Sequence, residues 1–244
     1  MKVAVVIPAR YASTRFPGKP LVKIGTRTLI EVVYEQARLA PCASRVVVAT
    51  EDTRIADAVR QFGGEVYMTR SDHPSGTDRV AEVVLKFLPD ADAVVNVQGD
   101  EPNIRPEQID AVAKLLEEDR EAAMTTLACP VTGERQMLDP NQVKVVCDAR
   151  GRALYFSRAP IPFVRDPADR DWKFLRHLGI YGYRRAFLLK FVTLPQGELE
   201  KAEKLEQLRA LENGYIIRVG VTPHATIGID TPEDFERYLK GLQT

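Results

Sequence analysis

Short, unbroken apolar runs alternate along this chain with stretches whose apolar residues recur every three or four positions. Val3 to Ala9 is a continuous, largely β-branched run, the pattern of a strand buried on both faces. Leu29, Val33, Ala37 and Ala40 then fall at helical spacing. Arg45 to Thr50 reads as a second strand. Asp52 is placed to cap a helix bearing Ile55, Ala58, Val59 and Phe62, which Gly63-Gly64 stops. Val66 to Met68 predicts a short strand, and Val80, Val83, Val84 and Phe87 a helical stripe. Ala93 to Val97 predicts a strand, Pro106 the start of a helix running to about Glu118, and Met124 to Ala128 a further strand.

The pattern changes after about Val143. Val143 to Val146 and Gly179 to Tyr183 look like strands, with Pro160, Pro162 and Pro167 marking an irregular arm between them. A helix is expected from about Leu199 to Glu212, ended by Asn213-Gly214, then a strand from Tyr215 to Val221. Thr226 to Ile229 is strand-like, and Thr231-Pro232 is a good helix start. Alternating strands and helices imply an α/β fold with a mainly parallel central sheet and right-handed crossovers. Ligands in such folds gather outside the carboxyl ends of the strands. That rule singles out three loops, 10–20, 70–79 and 98–103.

Composition narrows the class. The chain has 244 residues, suited to one domain spanning 1–244. Lys plus Arg and Asp plus Glu both total 34, so a broad electrostatic nucleic-acid footprint is not expected. No apolar run approaches the length of a spanning helix. Met1-Lys2 leads straight into the first strand, and the expectation is a soluble cytoplasmic protein. Cys42, Cys129 and Cys147 are odd in number and lack a CxxC pair. They read as buried small hydrophobes, not as a disulfide framework or zinc site. His73, His177 and His224 lack metal-ligand spacing.

The first loop holds Arg10, Arg15 and Lys19, with Ala12, Ser13 and Gly18 between them, and reads either as a phosphate cradle or as a solvated basic loop. Arginine gives planar multi-donor contacts to phosphate, lysine a compact charge, and small residues let backbone N–H groups approach a polyphosphate. The loop is neither a P-loop nor a GxGxxG fingerprint, which weighs against an NAD-dependent oxidoreductase. In the third loop Asp100 could hold Mg²⁺ and Gln98 could read a base or a sugar hydroxyl, or Gly99-Asp100 could serve only a backbone turn. In the second, Ser75 or Thr77 can cap a helix whose N-terminus, with Gly76, attracts anions. Asp90-Ala91-Asp92 has DxD spacing but precedes its strand, at the opposite sheet edge, and reads as a solvated turn.

The stretches IPARYASTRFPGKPL (7–21), HPSGTDR (73–79), VNVQGDEP (95–102), YFSRAPIP (155–162), HLGIYGYR (177–184), LEQLRALENGY (205–215) and GIDTPED (228–234) occur in that order. Together they resemble the 3-deoxy-manno-octulosonate (Kdo) cytidylyltransferase family. The resemblance implies a Rossmann-like nucleotidyltransferase fold of GT-A-like type. A smaller mixed arm, about 143–221, would contribute sugar binding and homodimerisation. It implies CTP and Kdo as substrates, Mg²⁺ as cofactor, CMP-Kdo and pyrophosphate as products, and a place in lipopolysaccharide biosynthesis.

Carried onto this sequence, the resemblance puts Arg10, Arg15 and Lys19 on the triphosphate and Asp100 and Asp230 on the metal. Arg10, Ser13, Lys19, Ser75, Gly76, Thr77 and Gln98 would contact the nucleotide. Arg158, His177, Tyr181, Glu206 and Gln207 would contact the sugar acid. Spacing alone would instead make Glu206 and Gln207 an exposed helix face and Tyr181 a core residue. A cytidylyltransferase for 8-amino-Kdo or a sialic acid, and a non-catalytic nucleotide-binding protein, are the alternatives.

Overall fold

Strand β1 (Val3–Pro8) explains its own unbroken apolar run. Val3, Val5 and Ile7 enter one core, and Ala4 and Val6 enter a second core on the opposite face. A strand covered on both sides has no solvent face to alternate. The computed structural model describes residues 1–12, 14–166 and 172–242. Around β1 lie β4 (Ala43–Thr50), β5 (Glu65–Met68) and β6 (Ala93–Asn96), joined in parallel as β6-β1-β4-β5. The sheet continues through β10 (Leu175–Arg184), β7 (Ala122–Pro130) and β11 (Ile216–Val221). β10 runs antiparallel to both β6 and β7, whereas β7 and β11 are parallel. β8 (Lys144–Cys147) and β9 (Ala153–Ser157) extend the sheet from the start of β10.

The first core lies beneath α1 (Leu29–Arg38), α2 (Thr53–Gln61) and α4 (Pro106–Glu118). α9 (Pro232–Gly241) rests on it through Phe235, Tyr238 and Leu239. The second lies beneath α3 (Gly76–Phe87), α6 (Arg185–Phe191) and α8 (Leu208–Glu212). α5 (Glu134–Leu138) and α7 (Glu198–Glu203) are short outer turns, and β2 (Lys23–Ile24) and β3 (Arg27–Thr28) form a separate small hairpin. The start signals read from the sequence act as expected. Asp52, Ser75 and Thr231 each accept a main-chain N–H in the first turn of α2, α3 and α9.

Several expectations are corrected. The helix expected over 199–212 is two helices, broken where Lys204 takes a left-handed φ of 53°. Thr226 to Ile229 forms no strand. The sheet is mainly parallel, as expected, with β10 antiparallel within it, whereas β2, β3 and β9 were not expected. Cys129 is buried, but Cys42 and Cys147 are only half-buried. Pro167 lies outside the described residues.

Candidate active site

The loop after β1 is folded back on itself before it meets a ligand. Gly18 N–H donates to Tyr11 O at 3.0 Å. Gly18 has φ 72°, and a Cβ there would stand 3.1 Å from the Tyr11 hydroxyl oxygen, so glycine is required twice over. The Arg54 guanidinium lies 3.3 Å from the Tyr11 ring centroid, which braces the loop against α2. Lys19 then opens a single tight helical turn, Lys19–Leu21. The loop after β6 needs a second close approach: a Cβ on Gly99 would lie 2.9 Å from Pro8 O.

These two loops and the start of α3 enclose a cleft of about 280 Å³ at the carboxyl edge of β1 and β6. Its walls include Arg10, Arg15, Lys19 and Arg79 facing Asp100 and Asp230. Lys19 Nζ donates to Asp100 Oδ2 at 2.6 Å and lies 3.4 Å from Asp230 Oδ1. Arg15 pairs with the same Asp230 oxygen at 3.1 Å. Asp100 arrives directly from β6. Asp230, expected at the end of a strand, is instead brought by an extended segment whose Ile229 N–H donates to Asp100 O at 2.9 Å. Its own N–H donates to Asp234 Oδ2 at 3.2 Å, in the cap of α9.

Sharing one ammonium puts the two carboxylate oxygens within about 6 Å of each other. Hard carboxylate oxygens in a pair, with phosphate oxygens completing the shell, fit Mg²⁺. Asp100 and Asp230 are the carboxylates that line the cleft; among the described residues no group of three or more His, Cys, Asp or Glu is arranged to hold a metal.

Ser75 and Gly76 line the cleft at the N-terminus of α3, and Gln98 lines its floor. Ser75 Oγ donates to Asp78 Oδ2 at 2.7 Å and accepts from Asp78 N at 3.2 Å. Capping and cleft lining therefore coexist there. Ser13 lies outside the described residues. Thr77 turns the other way: its hydroxyl donates to Glu206 Oε2 at 2.5 Å. That bond joins the nucleotide side of the site to the residues expected to meet the sugar.

Glu206 sits between α7 and α8, and its burial raises its carboxyl pKa above the ordinary range. Gln207 is buried, and its Nε2 has no hydrogen-bond partner among the described residues. The His177 and Tyr181 rings lie side by side along β10, centroids 5.3 Å apart and tilted by 38°. Burial, with the Arg176 charge, lowers the His177 imidazole to about 3, and Nε2 lies 3.0 Å from Thr126 Oγ1. Arg158 stands apart from the cleft. Its guanidinium donates to the carbonyls of Glu203, Pro140 and Lys204.

Two residues escaped the sequence reading. Arg79 is buried, pairs with Glu51 at 2.6 Å and lines the cleft. Its signal was available, since it stands one turn before Val83 on the apolar stripe of α3, where a charge needs a reason. Glu101 is buried beside Asp100, and burial with that neighbouring charge raises its carboxyl to about 7.

A cation-walled cleft with paired carboxylates, at the carboxyl edge of a mostly parallel sheet, defines an α/β protein of the nucleotidyltransferase class. The cytidylyltransferase family model matches residues 4–221. The chain belongs to the 3-deoxy-manno-octulosonate cytidylyltransferase family. It is 54% identical to the protein of that name from Syntrophotalea carbinolica, over 99% of this chain and 100% of the relative. With that of Syntrophobacter fumaroxidans the identity is 55%, over 99% and 97%. A solved CMP:2-keto-3-deoxy-manno-octonic acid synthetase, complexed with CTP, superposes with TM-score 0.94 at 42% identity, covering 100% of this chain and 99% of that one.

Proposed function

We propose that this chain transfers CMP from CTP to Kdo, giving CMP-Kdo and pyrophosphate, with Mg²⁺ held by Asp100 and Asp230. The anomeric hydroxyl oxygen of Kdo bonds to the α-phosphorus. The bond from that phosphorus to the bridging oxygen of the β-phosphate breaks, pyrophosphate leaves with the bonding electrons, and the hydroxyl proton passes to solvent. Arg10, Arg15, Lys19 and Arg79 bind the triphosphate and hold the departing pyrophosphate, so positioning and charge do most of the work. When bound, Mg²⁺ would neutralise phosphate charge and favour ionisation of the attacking hydroxyl. Ser75, Gly76 and Gln98 contact the nucleotide. Glu206 offers an acceptor and Gln207 an unused donor to sugar hydroxyls, beside His177 and Tyr181. Arg158 meets the sugar carboxylate only if its guanidinium leaves the carbonyls it now serves.

The observation that carries this reading is the ammonium of Lys19 set between two carboxylates in a cation-walled cleft. The product would serve lipopolysaccharide biosynthesis from the cytoplasm, and the working form is a homodimer. Among the described residues no helix is long and apolar enough to cross a membrane. The test is pyrophosphate release with CTP, ATP, GTP or UTP against Kdo, 8-amino-Kdo and sialic acid. Release is expected with CTP and Kdo in the presence of Mg²⁺. Asp100→Asn and Asp230→Asn should each lower the rate about 10²-fold or more. Both groups are partly exposed, so thermal stability should change by no more than about 1 kcal/mol. Faster turnover with another acceptor would reassign the substrate.

A further inference from the structure

Asp230 reaches Asp100 from a segment that has no place in the sheet. Residues 222–230 pass the end of β6, whose two edges are already taken by β1 and β10. Without a ladder, the segment is held at points. Thr222 N–H donates to Ala128 O, Gln108 Nε2 to His224 O, Arg176 Nη2 to Thr226 O and Ile229 N–H to Asp100 O, each at 2.9 Å.

Glu101 occupies the gap between the last two points. Its carboxyl group lies beside the Thr226 hydroxyl and within the influence of the Arg176 charge. Thr226 is 6% exposed and Glu101 8%. Glu101 Oε1 fits against β10 where that strand bulges: a Cβ on Gly179 would stand 3.4 Å away. The segment is therefore held at Thr226, four residues before Asp230: its carbonyl accepts from Arg176 Nη2, and its hydroxyl is buried beside Glu101.

We propose that Glu101, Thr226 and Arg176 are positioning residues that set the spacing of Asp100 and Asp230, and with it the affinity of the site for a divalent cation. The inference rests on the metal reading above. Glu101 follows Asp100 by one peptide bond and packs beside Thr226 of the Asp230 segment, next to the Ile229 N–H to Asp100 O bond, so it lies between the two ligand-bearing segments. Outer partners of this kind typically change metal affinity by about 10–100-fold when removed. A shift of about 1 Å at reacting groups can cost about 10² in rate.

The experiment titrates Mn²⁺ into the full-length protein with CTP and no acceptor, reading free Mn²⁺ by electron paramagnetic resonance. Thr226→Val is expected to weaken Mn²⁺ binding about ten-fold, and Thr226→Ser to restore it. CTP affinity measured in EDTA stays unchanged, because the cations that hold phosphate are untouched. Glu101→Gln keeps the shape of the clamp and loses its charge, so it shows a smaller loss in the same direction, and it carries the test if Thr226→Val fails to fold. Unchanged Mn²⁺ binding in the folded variants overturns the proposal, as does an equal loss of metal-free CTP affinity. If the unaltered protein takes up no Mn²⁺ with CTP, the metal reading itself falls, so the two failures are distinguishable.

Discussion

His177 is neutral in the folded protein well into the acid range, because burial and Arg176 hold its imidazole at about 3. In the unfolded chain the same ring titrates near 6.5. Between those values the unfolded state binds more protons, so stability is complete above pH 6.5 and falls as pH is lowered toward 3. His177→Gln is expected to flatten the dependence of Tm on pH between about 4 and 6.5. The ring signals of His177 in nuclear magnetic resonance should not titrate between pH 5 and 8, and a midpoint near neutrality would contradict the assignment. The cleft residues Arg10, Lys19, Gln98 and Asp100 were legible in the sequence because each follows a strand whose apolar run is unmistakable. Glu101 was not, since nothing in Asp100-Glu101-Pro102 says which carboxylate turns inward. Burial is decided by Thr226 and Gly179, which are distant in sequence.

At the scale of elements, the break between α7 and α8 shows how periodicity misleads. Leu199, Ala202, Leu205, Leu208 and Leu211 keep a spacing of three throughout, so the helical signal continues across a turn that is not helical. The cost of that turn falls on Lys204, a non-glycine residue at φ 53°. A left-handed residue with a Cβ costs about 1–2 kcal/mol, and glycine returns about 0.5–1 of that as lost chain entropy. Lys204→Gly is therefore expected to stabilise by about 0.5 kcal/mol and to raise Tm by roughly 1–2 °C in calorimetry. A lower Tm would mean that the lysine side chain contributes more than its backbone costs. Thr226 to Ile229 failed as a strand for a different reason. Its residues suit one, but β6 has no free edge to receive it, and edge availability is a property of the assembled sheet.

For the whole molecule, apolar runs show where strands lie but not which way they run. β10 is antiparallel, so its early residues, His177 to Tyr181, come to the edge where the parallel strands end. A sequence reading that assumes parallel order has no means of foreseeing this. The arm also leaves apolar surface uncovered: Phe163 is 87% exposed and Trp172 55%, beside Pro162 and Met137 in one groove. Exposed clusters of this kind mark interaction surfaces. A sedimentation mass of two chains is expected, with Phe163→Asp shifting it to one. An unchanged mass would place the subunit contact elsewhere. Finally, the cleft sets Arg10, Arg15, Lys19 and Arg79 against Asp100 and Asp230, and even with Arg79 paired to Glu51 the cations are in excess, which attracts any polyphosphate regardless of its base. Such attraction reaches only about 8 Å at physiological ionic strength and shortens as salt rises. Added salt therefore weakens the capture of every nucleotide by a common factor and leaves their ratios untouched, so strength of binding and choice of base are separately adjustable in this site.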